Sequence, residues 1–290
     1  MEWESREEST NVEDRRTFGP KSLAIGGGLG AILIVILGLV LGVDPGKLAD
    51  IAGQGAPQGT EQPKGQQPGR VDPEEERLAS FAKVIFHDTE VVWAEHFQKM
   101  GKQYQKPVLV LYSGRVESAC GLADAAIGPF YCPGDSKVYL DLSFFRDMQR
   151  KLNAPGEFAR AYVIAHEVGH HVQRALGYAP GVDEGRKGLK AEGNQISVRL
   201  ELQADFLAGV WAHHAQKKFH FLQSGDIDSA LHAAFEIGDD RLQKKAHGHV
   251  VPDSFTHGTS QQRMRWFKEG FQKGDVNEAR ALFALRYDEL

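Results

Sequence analysis

Apolar positions are unevenly spread along the 290-residue chain. Ser22 to Val43 runs for 22 positions without a charged residue. At about 1.5 Å per residue, that stretch is long enough to cross a hydrocarbon core roughly 30 Å thick. Polar sequence flanks it. Residues 1–21 show no helical or strand period and are expected to form a disordered tail. Residues 44–73 are rich in Gly, Pro and Gln and read as a linker of coil and polyproline character. From residue 74 to 290 periodic apolar patterns return, over a length sufficient for one domain with a full core.

Within that domain, Phe158, Ala161, Tyr162, Ile164, Ala165, Val168 and Val172 recur between Pro155-Gly156 and Gly177. So few polar positions interrupt them that the pattern predicts a helix buried on most sides. A second helix is expected from a cap at Asn194 through Trp211. Others are expected from Asp88 or Thr89 to near Gly101, and after Asp226. Thr259 with Gln262, and Asp275 with Glu278, have capping-box spacing and open the last two helices. Val108–Tyr112 and Val138–Asp141 read as strands. The expected fold class is therefore α+β, mostly helical, with a small sheet beside the 158–172 helix.

That helix carries His166, Glu167 and His170. Two histidines four apart project from one helical face, one above the other. Their imidazoles can share one zinc ion, and the glutamate between them can reach a water at the metal. Gly169 costs roughly 1 kcal/mol against Ala in a helix interior, but it leaves room for close packing there. The competing reading is a pair of hydrogen-bonded core histidines. Against it, an apolar helix has little reason to hold three such groups unless they are paired or bind something.

A catalytic zinc takes three protein ligands and keeps a position for water. Glu201 is the candidate third ligand. It shares a helix face with Asp205, four residues on, and with Val198, Ala208 and Ala212. Asp205 is placed to accept the free N–H of a ligand histidine and fix its tautomer. The alternative for Glu201 is a solvated acidic face paired with Arg199.

Several strings together resemble one family, the putative neutral zinc metallopeptidases of bacteria. They are Cys120-Gly121, Gly128–Pro133, Val138–Phe145, the His166–His171 segment, Ser197–Asp205, Gly238–Gln243 and Ser254–Arg263. The resemblance covers about residues 78–272. It implies a membrane-anchored, gluzincin-like zinc peptidase with a zincin-like domain. His166, His170 and Glu201 would be ligands to one Zn2+ per chain, with Glu167 as base. On the zincin plan an edge strand lies along the cleft and pairs with an extended substrate, and Val138–Leu142 is the strand chosen. Phe206 and the Ala281–Ala284 stretch stand where the family often has cysteines, so a second disulfide is not expected.

Charge decides the expected orientation of the apolar run. Arg15, Arg16 and Lys21 lie close on its N-terminal side and only Lys47 on the other. The positive-inside rule then predicts a single-pass protein of a bacterial plasma or inner membrane, with a cytoplasmic N-terminus and an extracytoplasmic catalytic domain. Gly26 with Gly30 and Gly38 with Gly42 offer small-residue contacts for a homodimer through this helix. The net charge is only −5 and the basic residues are scattered, which gives no footprint for nucleic acid. The two cysteines, Cys120 and Cys132, can close a short loop as a disulfide outside the cytoplasm, stabilising by about 3 kcal/mol. In a reducing compartment they would stay thiols.

The expected reaction is hydrolysis of a peptide or protein substrate, with Glu167 as general base. His257 is the first candidate to donate to the developing oxyanion, and Arg263 a weaker one. His171 is expected to point away from the metal, and His213, His214, His247 and His249 to lie on the surface. The alternative function is a catalytically silent, membrane-tethered zinc scaffold that binds proteins or peptides. Retention of Glu167 favours the enzyme, because a scaffold has no use for a base.

Overall fold

A computed structural model describes residues 1–16, 72–124, 128–150, 154, 156–178 and 190–290. The expected membrane-crossing helix and nearly all of the linker lie outside these residues. Among the described residues, no helix is long and apolar enough to cross a membrane.

The central sheet has the order β1-β2-β6-β5. It comprises β1 (Val12–Asp14), β2 (Val108–Tyr112), β6 (Lys137–Asp141) and β5 (Phe130–Cys132). β1 and β6 run parallel to β2, and β5 runs antiparallel to β6. A separate hairpin, β3 (Arg115–Ser118) and β4 (Gly121–Asp124), is tied to β5 by a Cys120–Cys132 disulfide. The strand chosen along the cleft, Val138–Leu142, is not an edge. β6 lies between β2 and β5, and its residues 138–141 are buried on both faces. Buried side chains on both faces are what a strand with two neighbours requires. The edge is β5.

Helices cover the sheet face that carries Leu109, Leu111, Val138 and Leu140, and the hairpin covers the other face through Val116 and Ala123. α1 (Pro73–Lys99) starts fifteen residues earlier than Asp88, because Asp72 caps the Glu74 N–H and Pro73 occupies the first turn. Asp88 and Thr89 lie in its buried middle. Asp88 is ion-paired with Arg6, and the Thr89 hydroxyl donates to the Phe86 carbonyl. α2 (Leu142–Arg150) follows β6. α3 (Glu157–Leu176) and α4 (Lys190–Phe219) form the core pair with α7 (Ser260–Lys273), while α5 (Asp226–Glu236) and α6 (Asp239–His247) cover one end. Asn194 falls inside α4 rather than at its cap and donates to the Asp253 carbonyl. The Thr259 capping box of α7 is present. Asp275 instead caps a 3-10 turn, Val276–Arg280.

Small residues set how closely these helices approach. A Cβ built on Gly169 of α3 would sit 2.9 Å from the Ala204 carbonyl oxygen of α4. On the other side of α4, Gly209 and Gly270 bring the α4 and α7 backbones so close that a Cβ at either would meet a carbonyl oxygen at 2.1 or 2.0 Å. Phe206, buried in that seam, packs on Trp266. Larger residues would separate the helices that carry the candidate site.

Residues 1–16 are not a disordered tail. Trp3 is buried edge-on against Phe81, Arg6 reaches Asp88, and the Ser9 hydroxyl donates to buried Glu90. β1 then completes the sheet. The polar residues that suggest disorder are the ones that make these pairs, so they carry no sequence period. Because β1 and β2 share one sheet, residues 12–14 and 108–112 lie on the same side of any bilayer. In the expected arrangement, with one crossing at residues 22–43, these two strands would stand on opposite sides of a bilayer, whereas here they are hydrogen-bonded neighbours.

Candidate metal centre

α3 presents His166 and His170 toward α4, where Glu201 stands one helical turn before Ala204. Glu201 Oε2 lies 3.1 Å from His166 Nε2, and Oε1 lies 3.5 Å from His170 Nε2. One ligand atom from each of the three residues falls within 4.8 Å of the others. Two atoms each about 2.1 Å from a shared tetrahedral ion are about 3.4 Å apart, and the two Glu201–histidine separations match that spacing. Arg199 does not neutralise Glu201, since its guanidinium donates instead to the Leu282 carbonyl.

The partners of the other ring nitrogens leave both Nε2 atoms facing the centre. His166 Nδ1 lies 2.8 Å from Asp205 Oδ1. Asp205 also accepts from the Tyr162 hydroxyl and from Arg263, at 2.8 Å from Nε and 3.0 Å from Nη2. Burial opposes the charge on Asp205, but Arg263 and His166 outweigh it and hold the carboxyl below its usual range. Arg263 is thus spent behind His166 and is not turned toward a substrate. Its expected role as an oxyanion donor is overturned by the short α4–α7 distance, which delivers it to Asp205. His170 Nδ1 lies 2.9 Å from Gln173 Oε1, and Gln173 Nε2 donates to the Leu200 carbonyl, which fixes which end of the amide faces the ring. Gln173 was not among the sequence candidates. Its signal was a polar residue three positions after His170 on an otherwise apolar face.

Glu167 is buried beside this group, and its carboxylate accepts from the Tyr131 backbone N–H of β5. Burial pushes its carboxyl up to about 7; His166 opposes that rise and Glu201 adds to it. Glu201 behaves oppositely. Burial disfavours its charge, but His170, His166 and His257 hold it well below the ordinary range. The outer edge of β5 therefore lies against Glu167.

His257 is half-exposed on the loop before α7, and its charge is felt by Glu201. His171 points away from the centre, to the Tyr131 hydroxyl and the Gln105 carbonyl. His213 and His214 are half-buried rather than exposed. Their rings meet each other, the His214 ring also meets His96, and they bond the Phe271 and Gly274 carbonyls. His247 and His249 are exposed.

Comparison with known proteins places the chain in a family. A family described as "Putative neutral zinc metallopeptidase" matches residues 1–282. The Escherichia coli (strain K12) protein YpfJ, described as uncharacterized, is 48% identical over 284 residues, covering 95% of this chain and 96% of its own. A Mycobacterium tuberculosis (strain H37Rv) protein, Rv2575, also described as uncharacterized, is 42% identical over 184 residues, 60% of this chain and 61% of its own. No solved structure matches the chain. By the extent of the family match and the identity to its relatives, the chain belongs to the putative neutral zinc metallopeptidase family.

Proposed function

We propose that the chain is a zinc-dependent endopeptidase that hydrolyses peptide bonds with water activated at the metal. One observation carries this reading: the Glu201 carboxylate spans the Nε2 atoms of two histidines, with Glu167 beside them. His166, His170 and Glu201 would hold the ion. When bound, zinc supplies Lewis acidity, which lowers the pKa of water toward 7 and polarises a carbonyl. Glu167 takes a proton from the attacking water and passes it to the leaving amine. Asp205 and Gln173 keep the ligand rings in the tautomers that free Nε2. β5 pairs with the extended substrate backbone and so places a carbonyl at the base.

The charge-free run of residues 22–43 supports attachment to a lipid bilayer. The pairing of β1 with β2 supports placing residues 1–16 and 72–290 on one side of it.

The test compares the full chain with Glu167→Gln for zinc content and for cleavage of a peptide library. The expected result is one zinc per chain in both, with cleavage falling about 10²–10⁴-fold in the variant. Zinc in both with cleavage by neither would favour the silent scaffold. No stoichiometric zinc in either would overturn both readings.

A further inference from the structure

Two strings of this sequence, Gly238–Gln243 and Ser254–Arg263, supply no ligand to the metal group, yet they fold onto each other. One oxygen of the buried Asp239 carboxylate accepts three consecutive backbone N–H groups, from Thr256 and His257 at 2.7 Å each and from Gly258 at 3.2 Å. The Asp239 N–H returns a bond to the Gly258 carbonyl. The other carboxylate oxygen lies 3.1 Å from His257 Nδ1, and the Thr256 hydroxyl is 3.1 Å from the same nitrogen. Asp240 holds the Ser260 N–H and hydroxyl, and Gln243 bonds Ser254 and the Val251 N–H. The loop is therefore clamped on both sides of His257.

The clamp also has a direction. A Cβ built on Gly258 would touch Val198 and Leu202 of α4, both at 3.3 Å. Those residues flank Glu201, so the loop rests on the turn of α4 that carries the third ligand. With Nδ1 committed to Asp239, Nε2 is the ring atom left to face outward.

We infer that Asp239 is a positioning residue that holds His257 so that its Nε2–H donates to the oxyanion forming on the scissile carbonyl. This rests on the peptidase reading. Asp239 touches no substrate and acts through the imidazole. Its carboxylate stabilises the charged ring that presents a proton on Nε2. A bond to an aspartate at Nδ1 is how an imidazole is commonly fixed in one orientation. The charged groups that bear on His257 are Asp239 from α6, Glu201 from α4 and Arg263 from α7.

The test uses the full zinc-loaded chain and the variants His257→Ala, Asp239→Asn and the double variant. Asparagine keeps an oxygen for the three N–H groups but removes the anionic partner of Nδ1. His257→Ala is expected to lower kcat about 10²–10³-fold with KM little changed. Asp239→Asn is expected to lower kcat by a smaller factor and to move the alkaline limb of the rate profile to lower pH. The double variant should be no worse than His257→Ala alone, because the two residues act as one unit. Zinc affinity, measured by chelator competition, should stay within about twofold throughout. NMR of the metal-free parent and Asp239→Asn should show the His257 ring losing its proton at lower pH in the variant. Full additivity in the double variant, or an unchanged ring titration, overturns the proposal. A fall in zinc affinity that matches the fall in kcat also overturns it. The ring titration needs no turnover, so a parent chain that cleaves nothing would sink the peptidase reading and leave the positioning of His257 separately tested. If Asp239→Asn does not fold, the parent ring decides, and deprotonation at or below the ordinary histidine value counts against the proposal.

Discussion

Gly169→Ala tests whether the α3–α4 distance sets the metal site. The added Cβ would sit 2.9 Å from the Ala204 carbonyl oxygen and 3.3 Å from its Cα, where ordinary contact begins near 3.4 Å. The contact is backbone, so α4 must retreat by about 0.5 Å for the new methyl to fit. Ala204 lies one turn from Glu201 on the same rigid helix, and Glu201 moves with it. Metal-ligand bonds tolerate about 0.2 Å, less than that shift. The same substitution removes a helix-interior glycine, a gain of roughly 1 kcal/mol, against an overpacking cost of about 1–3 kcal/mol. The metal-free protein should therefore melt within a few degrees of the parent. Zinc affinity should fall about 10–100-fold, the range seen when a ligand's supporting partner is disturbed. Thermal unfolding in a chelator gives the first quantity, and competition with a chromophoric chelator gives the second. Parent-like zinc affinity in a folded Gly169→Ala protein would refute the reasoning, because ligand geometry would then not depend on this crossing.

Four further outcomes are expected. Asp205→Ala should weaken zinc binding about 10–100-fold. It should also destabilise the metal-free protein by about 3–5 kcal/mol, because Arg263 is left buried without its carboxylate; denaturant unfolding measures this, and a loss below 1 kcal/mol would argue against a buried pair. The Asp239–His257 pair should give the metal-free protein a stability maximum. Asp239 is held below 3.8, despite burial, by His257 and backbone donors, so its contribution is present above that value and fades as pH falls through the lowered one. His257 is held above 6.5, despite burial, by Asp239 and Glu201, so its contribution is complete below 6.5 and fades as pH rises through the raised value. Both terms are full between about pH 4 and 6.5, and His257→Ala should flatten melting temperature against pH at both ends of that window. Trp3→Ala should free residues 1–16 for proteolysis and cost up to about 3–5 kcal/mol. In membrane vesicles, cysteines placed at exposed Glu7 and Lys268 should be labelled from the same face, and labelling from opposite faces would show that the tail does not pack as β1 requires.

Sequence alone determined what is local. The i, i+4 histidines, the glutamate between them and the Glu201–Asp205 face rest on the helical period of 3.6 residues, and the Thr259 capping box and the strands at 108–112 and 138–141 on short spacings and apolar runs. Those patterns exist before the chain folds. Tertiary structure decided everything that joins distant residues. Arg263 was taken from the cleft to Asp205 by the close α4–α7 seam. Val138–Leu142 became an interior strand because β5 and β2 both pair with it. Gln173, Tyr131 and Asp239 gained their roles from neighbours 27, 36 and 18 positions away. Residues 1–16 offered no apolar period because their affinity for the domain lies in one buried tryptophan, charge pairs such as Arg6–Asp88, and backbone bonds of β1 to β2. Such pairs have no spacing rule along the chain. They exist only where the fold brings opposite charges and free backbone edges together.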